Sequence, residues 1–409
     1  MEYLFYLEPY TFILQNEKKT VLYNTINSAY IPCPESAEIQ TIIQTWDKAE
    51  NGYCTILNED TFNIQVVKCF ITTVRESFSG DCIPWKKGKQ KPYIFKPTLF
   101  LNTELRIKEE NSRKILGERI LLNLHEVTFY LPSKCEIGCI ACDSYYRQMN
   151  HCRCKDEVIA LTLENYRTLL LQLQIAGVRK VNLIGGISGK ENYLYSLVKE
   201  FKNSTYKKCV YLDWKQRNKF DINAILKYNT EVFITVQPED LIQISKNIKT
   251  LHYKEKVTWH LIVAEEKNIE QIEALITTNN FKIKIIPFYN GTNIEFFQKN
   301  VYMNLEDIIE QPINRKTIYR HKILNDNFFG KLIVMPSGYV HASINTPPIG
   351  NILECSFKEL VYKELTENDT WLKVRANLSP CSQCINKDLC PPISNYEQVI
   401  GKNNLCYLQ

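Results

Sequence analysis

The middle of the chain repeats one beat. A short apolar run is followed by a longer stretch with apolar residues at helical spacing. Strand-like runs stand at residues 127–131, 180–184, 209–213, 232–236, 258–263 and 282–287. Helical periodicity lies between most of them. The clearest case is Leu163–Ile175, which runs up to Gly177, a natural helix stop. Another covers residues 240–248, opened by Pro238. Six strands alternating with helices predict an α/β fold whose parallel sheet has helical crossovers. Six units are too few for an eight-unit barrel, and a partial (β/α)6 barrel is expected in preference to a flat doubly wound sheet. In parallel barrels the chemistry sits at the C-terminal ends of the strands.

The two ends of the chain carry different patterns. Residues 10–14, 20–24 and 29–33 read as short strands separated by polar turns. A helix is predicted over 37–46, with Ile39, Ile42, Ile43 and Trp46 on one face, and a second over 62–74. Residues 80–97, with Pro84, Pro92, Pro97 and Lys86, Lys87, Lys89 and Lys91 among them, read as loop or linker. Near the other end, 332–336 and 339–342 flank Ser337-Gly338 as a hairpin. The expected organisation is a small N-terminal α+β module (1–97), the α/β segment (98–328) and a cysteine-rich C-terminal domain (329–409).

Charge and hydropathy exclude some classes. The net charge of +5 over 409 residues is small, and no basic block marks a nucleic-acid binder. No run approaches the ~20 apolar residues of a membrane span. The first fourteen residues hold two glutamates and no basic residue, which makes a poor signal peptide. A cytoplasmic protein is expected.

The fifteen cysteines change the picture. In a long cytosolic chain they suggest metal or redox chemistry more than disulfides. Five fall between Cys135 and Cys154 and four between Cys381 and Cys406; the other six are scattered, as small apolar residues would be. Cys135, Cys139 and Cys142 form a C-x3-C-x2-C run directly after the first predicted strand. Three thiolates in one loop suit three irons of a four-iron cluster and leave the fourth iron without a protein ligand. His151, Cys152 or Cys154 would instead close a zinc site. The tail carries Cys381, Cys384 and Cys390 at C-x2-C-x5-C spacing, then Cys406; four thiolates hold either an iron–sulfur cluster or zinc. The six histidines show no paired constellation, while Gln237 and His260 lie near predicted strand ends.

These features resemble the radical S-adenosylmethionine superfamily. The C-x3-C-x2-C loop after strand one, the six-beat α/β pattern and Gly185-Gly186 at the end of strand two carry the resemblance. It implies a [4Fe-4S] cluster on Cys135, Cys139 and Cys142, S-adenosyl-L-methionine on the open iron with Gly185 and Gly186 close by, and 5′-deoxyadenosyl radical chemistry. Two residues depart from the pattern. Ala141 stands where an aromatic is usual. Gly185-Gly186-Ile187-Ser188 lacks the glutamate that accepts the methionine ammonium.

The tail resembles the SPASM extension of peptide-modifying radical enzymes. That implies one auxiliary [4Fe-4S] cluster on Cys381, Cys384, Cys390 and Cys406. A second cluster is lost, with Ser394 in place of the remaining cysteine. The first module resembles the winged-helix element that binds leader peptides. With this order of parts, the opening Glu2–Tyr10, Asn327–Leu332 and the closing Cys390–Glu397 are similar to the pseudo-radical-SAM proteins of the GG-Bacteroidales peptide-maturation system. The resemblance implies two partners: a ribosomally synthesised precursor peptide with its leader, and a separate radical maturase. The chain would then either modify the peptide or scaffold the maturase.

Overall fold

The computed structural model describes residues 1–86, 88, 120–133, 138–152, 159–186, 192–247, 253, 255–278, 282–311 and 313–408. Cys135, Cys154, Ile187, Ser188 and His252 lie outside the described residues, as do 89–97 of the expected linker.

The first module holds strands β1 (Glu2–Leu7), β2 (Thr11–Gln15), β3 (Thr20–Asn24), β4 (Tyr30–Pro32), β5 (Cys54–Asn58) and β6 (Gly80–Trp85). They form two antiparallel three-stranded sheets, ordered β5-β1-β6 and β2-β3-β4. The helix Ala37–Asp47 starts at Ser36, whose hydroxyl accepts the Ile39 N–H. It buries the four apolar residues its periodicity marks, together with Phe5, Val67 and Phe70.

Three expectations change here. Residues 2–7 and 54–58, where no strand is expected, are β1 and β5, with β1 central in its sheet. The helix expected over 62–74 is two helices, Glu59–Asn63 and Gln65–Glu76, because Ile64 takes an extended conformation and Asn58 caps the first. Residues 80–85, expected as loop, are β6, paired along its length with β1. An edge strand tolerates Pro84, since one of its sides needs no ladder N–H. At Gly80 a Cβ would stand 2.3 Å from the Tyr6 carbonyl oxygen, so only glycine lets the two backbones meet.

The α/β segment supplies β7 (Glu126–Leu131), β8 (Lys180–Gly185), β9 (Lys207–Asp213), β10 (Thr230–Val236), β11 (Thr258–Val263) and β12 (Lys282–Pro287). The last segment adds β13 (Lys331–Val334), β14 (Tyr339–His341) and β15 (Gly350–Asn351). All nine join one sheet in the order β12-β11-β10-β9-β8-β7-β13-β14-β15. From β12 to β13 the pairing is parallel, and the hairpin then extends the sheet antiparallel. The protein is thus a mixed α/β fold around a large parallel sheet. The helix Leu163–Ile175 follows its predicted bounds, with a Thr162–Asn165 capping box before it and Gly177 at φ +73° after it.

Side-chain alternation gives the sheet two faces. Val127, Phe129, Val181, Leu183, Val210, Leu212, Ile234, Leu261 and Leu332 pack with the crossover helices into the main core. The opposite face carries Tyr130, Ile184, Cys209 and Tyr211, which meet Tyr146, Cys152 and Met335. A smaller core joins the ends of the chain. Phe12, Leu14, Val21 and Tyr23 of β2 and β3 pack against Ile308, Ile318, Leu389 and Cys390. No helix among the described residues is long and apolar enough to cross a membrane.

Candidate functional site: two cysteine regions

The front region lies at the C-terminal ends of the parallel strands. After β7 the chain turns through Gly138 at φ +57°, and the Cys139 carbonyl accepts the Cys142 N–H at 3.1 Å. Cys142 then opens the helix Cys142–Gln148. Cys139 is buried and Cys142 half-buried, while Ile140 between them faces solvent.

The Cys139 sulfur is held from across the sheet. Gln237, directly after β10, donates from Nε2 to Cys139 Sγ at 2.8 Å and to Asp213 Oδ2 at 2.7 Å. Its Oε1 accepts from Lys215 Nζ at 3.3 Å. An ammonium only donates, so this contact settles which end of the amide faces the sulfur. Asp213, the last residue of β9, takes His151 Nε2 at 3.0 Å on Oδ2 and the Lys215 N–H at 2.8 Å on Oδ1. His151 Nδ1 lies 3.1 Å from the Cys152 carbonyl oxygen. Both ring nitrogens face an oxygen acceptor, which favours the charged ring, and Cys152 Sγ also lies 3.6 Å from Nδ1.

The electrostatics follow from these contacts. Burial alone would lower the His151 pKa, but the hydrogen bond and charge of Asp213 outweigh it and the net shift is upward. Burial would raise Asp213; its bonds to His151, Gln237 and the Lys215 N–H outweigh that, and its pKa falls. Burial pushes the Cys139 thiol up to about 11, against the pull of Gln237. Tyr145 shields the group, its ring centroid 5.0 Å from that of His151 and 4.3 Å from that of Phe288.

Gly185 and Gly186 sit beside this region with φ of +83° and +80°. A Cβ on Gly185 would stand 2.9 Å from the Leu131 carbonyl oxygen. One on Gly186 would stand 2.8 Å from Leu131 Cδ1 and 3.1 Å from the Leu194 nitrogen. The close packing of β8 on β7 therefore gives both glycines a reason within the chain itself. His260 belongs to an aromatic stack with Phe233 and Tyr211, and burial, with Lys284 and Lys180, lowers its pKa to about 4. His321 and His341 bond backbone carbonyls through Nδ1.

The back region gathers Cys381, Cys384, Cys390 and Cys406 around one cavity of about 800 Å³. Cys381 begins a short 3₁₀ turn after Pro380, and its carbonyl accepts the Cys384 N–H at 2.9 Å. Cys390 is fixed by its N–H to Asn386 O at 3.0 Å. Cys406 comes in through a parallel bridge to Met303. The N-terminal sheet closes the far wall. Asn16 donates to Gln383 O at 3.1 Å, the Tyr30 hydroxyl donates to Asn386 at 3.0 Å, and Lys18 and Lys19 line the cavity.

Burial raises the Cys390 thiol to about 12, Arg375 pulls it down, and the other three cysteines push it up again. Cys381 shows the same balance in direction. No three His, Cys, Asp or Glu side chains among the described residues converge closely enough to hold a metal ion. Ser394, where the tail resemblance expects a cysteine, is a helix cap. Its N–H and hydroxyl both bond Glu397 Oε2, at 2.6 and 2.8 Å.

No protein-family model matches this chain, and no curated protein does. Among solved structures it is similar to Streptococcus suis SuiB bound to S-adenosylmethionine, with 12% identity over 100% of this chain and 99% of that one and a TM-score of 0.41. It is likewise similar to Streptococcus suis SuiB, with 12% identity over 98% and 100% and a TM-score of 0.37.

Of the sequence-named residues, the structure brings Cys139 and Gln237 into contact and gathers all four tail cysteines. It also introduces Asp213, Lys215, Arg375 and Glu397, which pattern reading missed. A signal existed for Asp213, a lone acidic residue closing an apolar strand at its C-terminal end. Nothing in the local sequence marks Arg375.

Proposed function

We propose that the chain is a radical-S-adenosylmethionine-type iron–sulfur protein that serves the maturation of a ribosomally made peptide as a non-catalytic partner of a separate maturase. The thiol loop after the first parallel strand, the helices packed on the sheet face that carries the main core, and the four-cysteine tail support the superfamily reading.

One observation carries the non-catalytic half: at the strand ends, Cys139, Gln237, Asp213 and His151 are bonded to one another. S-adenosylmethionine needs an anionic acceptor for its ammonium, and an unpaired ammonium in a dry site is costly. Isoleucine follows the glycine pair, the glycines are packed on Leu131, and the Asp213 carboxylate is already committed to its neighbours. These residues do not fit that cofactor, and no radical step is assigned to the chain.

The donor set of the back region supports a cluster: four cysteines line one cavity, though their side chains do not converge on a single ion. A single zinc requires four sulfurs about 2.3 Å from one point. A four-iron cluster places its own atoms between the thiolates, which suits four sulfurs set around a cavity. Such a group, when bound, supplies one-electron redox capacity and cross-links the tail. The first module would hold the leader as an added strand on an open sheet edge; β2, β4, β5 and β6 are its edge strands.

The test is anaerobic reconstitution with iron and sulfide, then reduction in the presence of S-adenosylmethionine. We expect bound iron, no 5′-deoxyadenosine, and no heat of cofactor binding by calorimetry. Stoichiometric 5′-deoxyadenosine, abolished by Cys139→Ala, would establish the catalytic reading instead, which the retained Cys139 and Cys142 favour. Iron without any binding of a fluorescent precursor leader would remove the partner role.

A further inference from the structure

Arg375 is a buried cation that no motif reading singles out. Four of its five N–H bonds are placed. Nη2 donates to Glu397 Oε1 at 2.6 Å, Nη1 donates to Asn403 O at 2.9 Å and to Cys381 Sγ at 3.5 Å, and Nε donates to Pro391 O. The other Glu397 oxygen is occupied by Ser394. The guanidinium therefore has a fixed orientation, and one of its donors is aimed at a cysteine sulfur. Its partners flank all the stretches that bring in the four cysteines: Cys381 itself, Pro391 beside Cys390, and Asn403 before Cys406. Both members of the ion pair are buried, with 6% and 3% of their side-chain surface exposed. An ion pair so desolvated is a weak way to gain stability, because a well-packed apolar pair often does as well. Its direction toward a sulfur is the feature that stability leaves unexplained.

We propose that Arg375 is the positioning residue of the back region: it orients Cys381 toward the cavity, and its N–H···S bond and charge raise the reduction potential of the iron–sulfur cluster held there. The proposal rests on the cluster reading above. Reduction adds one electron to a group already made anionic by four thiolates. A donor and a positive charge at the ligand sulfur favour the more negative state, and hydrogen bonds to the sulfurs are among the factors that set cluster potentials. Lysine keeps the charge at this position but lacks the planar fork that reaches Glu397, Asn403 and the sulfur together.

The experiment uses the full-length chain in a Cys139→Ala/Cys142→Ala background, so that the front loop keeps only Cys135 of its three candidate ligands and the tail keeps all four. Protein with Arg375 and with Arg375→Lys is reconstituted anaerobically, assayed for iron and sulfide, and titrated with dithionite while the reduced-cluster EPR signal is followed. Equal iron and sulfide with a more negative midpoint in Arg375→Lys is the expected result. An unmoved midpoint at full iron content overturns the proposal. The second measurement needs no substitution at Arg375: with ¹⁵N-arginine incorporated, electron–nuclear double resonance on the reduced cluster should show a ¹⁵N coupling, and its absence also overturns the proposal. If the background protein carries zinc without sulfide, the cluster reading itself fails. That outcome is recognisable because no cluster signal exists to shift.

Discussion

The two cysteine regions are built from the same residue type in similar short loops, yet their surroundings are opposite. In front, the Cys139 sulfur meets a neutral amide, and that amide leads to the buried Asp213–His151 pair. Behind, the Cys381 sulfur meets a guanidinium, and Lys18, Lys19 and Lys387 share the cavity wall. The front polar groups satisfy each other. The back thiols face a space of about 800 Å³ with cations around it. A motif states which atoms can bind a metal, while the neighbouring charges decide whether the fold favours the anionic, metal-bearing form.

The largest effect that would break this comparison is loss of metal. Cys381→Ser/Cys390→Ser should remove about four irons per chain, as read by iron and sulfide analysis, and leave any front-loop iron in place. If total iron stays constant, the back region is not the binding site.

The next effect concerns the front pair. His151→Ala leaves Asp213 buried and unpaired, and we expect a loss of about 3–5 kcal/mol in urea unfolding. Adding Asp213→Asn should recover much of it. The pH dependence has a defined sign. His151 is raised in the fold, so its contribution is full below its ordinary value near 6.5 and is lost as pH rises through the higher folded value. Asp213 is lowered, so its contribution is present above 3.8 and is lost as pH falls through the depressed value. The difference between wild type and the double variant should therefore be greatest between those limits. A flat difference across pH would show that the pair is not ionic.

A third carboxylate serves as a control without a cation. Glu364 is fully buried; Oε1 accepts the Trp371 N–H at 2.8 Å, while Oε2 has no partner among the described residues. Burial raises its pKa from 4.5 to about 7. The fold disfavours its charged form, so stability falls as pH rises from 4.5 through 7 and stays lower above. Glu364→Gln should remove that fall and add about 2–3 kcal/mol at pH 8, read as a higher melting temperature there with little change at pH 4.

The smallest expected effect tests the glycine pair. Gly186→Ala places a Cβ against Leu131 and the Leu194 nitrogen at a left-handed φ, and should cost about 1–2 kcal/mol. Iron content and the front network should be unchanged. Loss of iron with stability intact would give this glycine a role at the metal site beyond packing.

Much of the fold was legible. The six parallel strands, the helix Leu163–Ile175 and the three short strands near the N-terminus follow from period and turn chemistry, which are local. The misses have non-local causes. β6 reads as linker because its small residues and Pro84 take their strand form only beside β1. The break at Ile64 is likewise invisible in a continuous apolar pattern. For the site, cysteine spacing marked the tail ligands, and nothing local pointed to the residues that surround them.

By itself the sequence determined the six parallel strands and most of their crossover helices, the placement of a thiol loop after the first parallel strand, and the absence of a carboxylate after Gly186. Those properties are written in neighbouring residues. Only the tertiary structure decided that Gln237 and Asp213 meet Cys139 and His151, that Arg375 faces Cys381, and that the N-terminal sheet walls the tail cavity. The physical reason is that hydrogen bonds and charge act through space at a few ångströms, and register and chain return bring residues to that distance from up to several hundred positions apart.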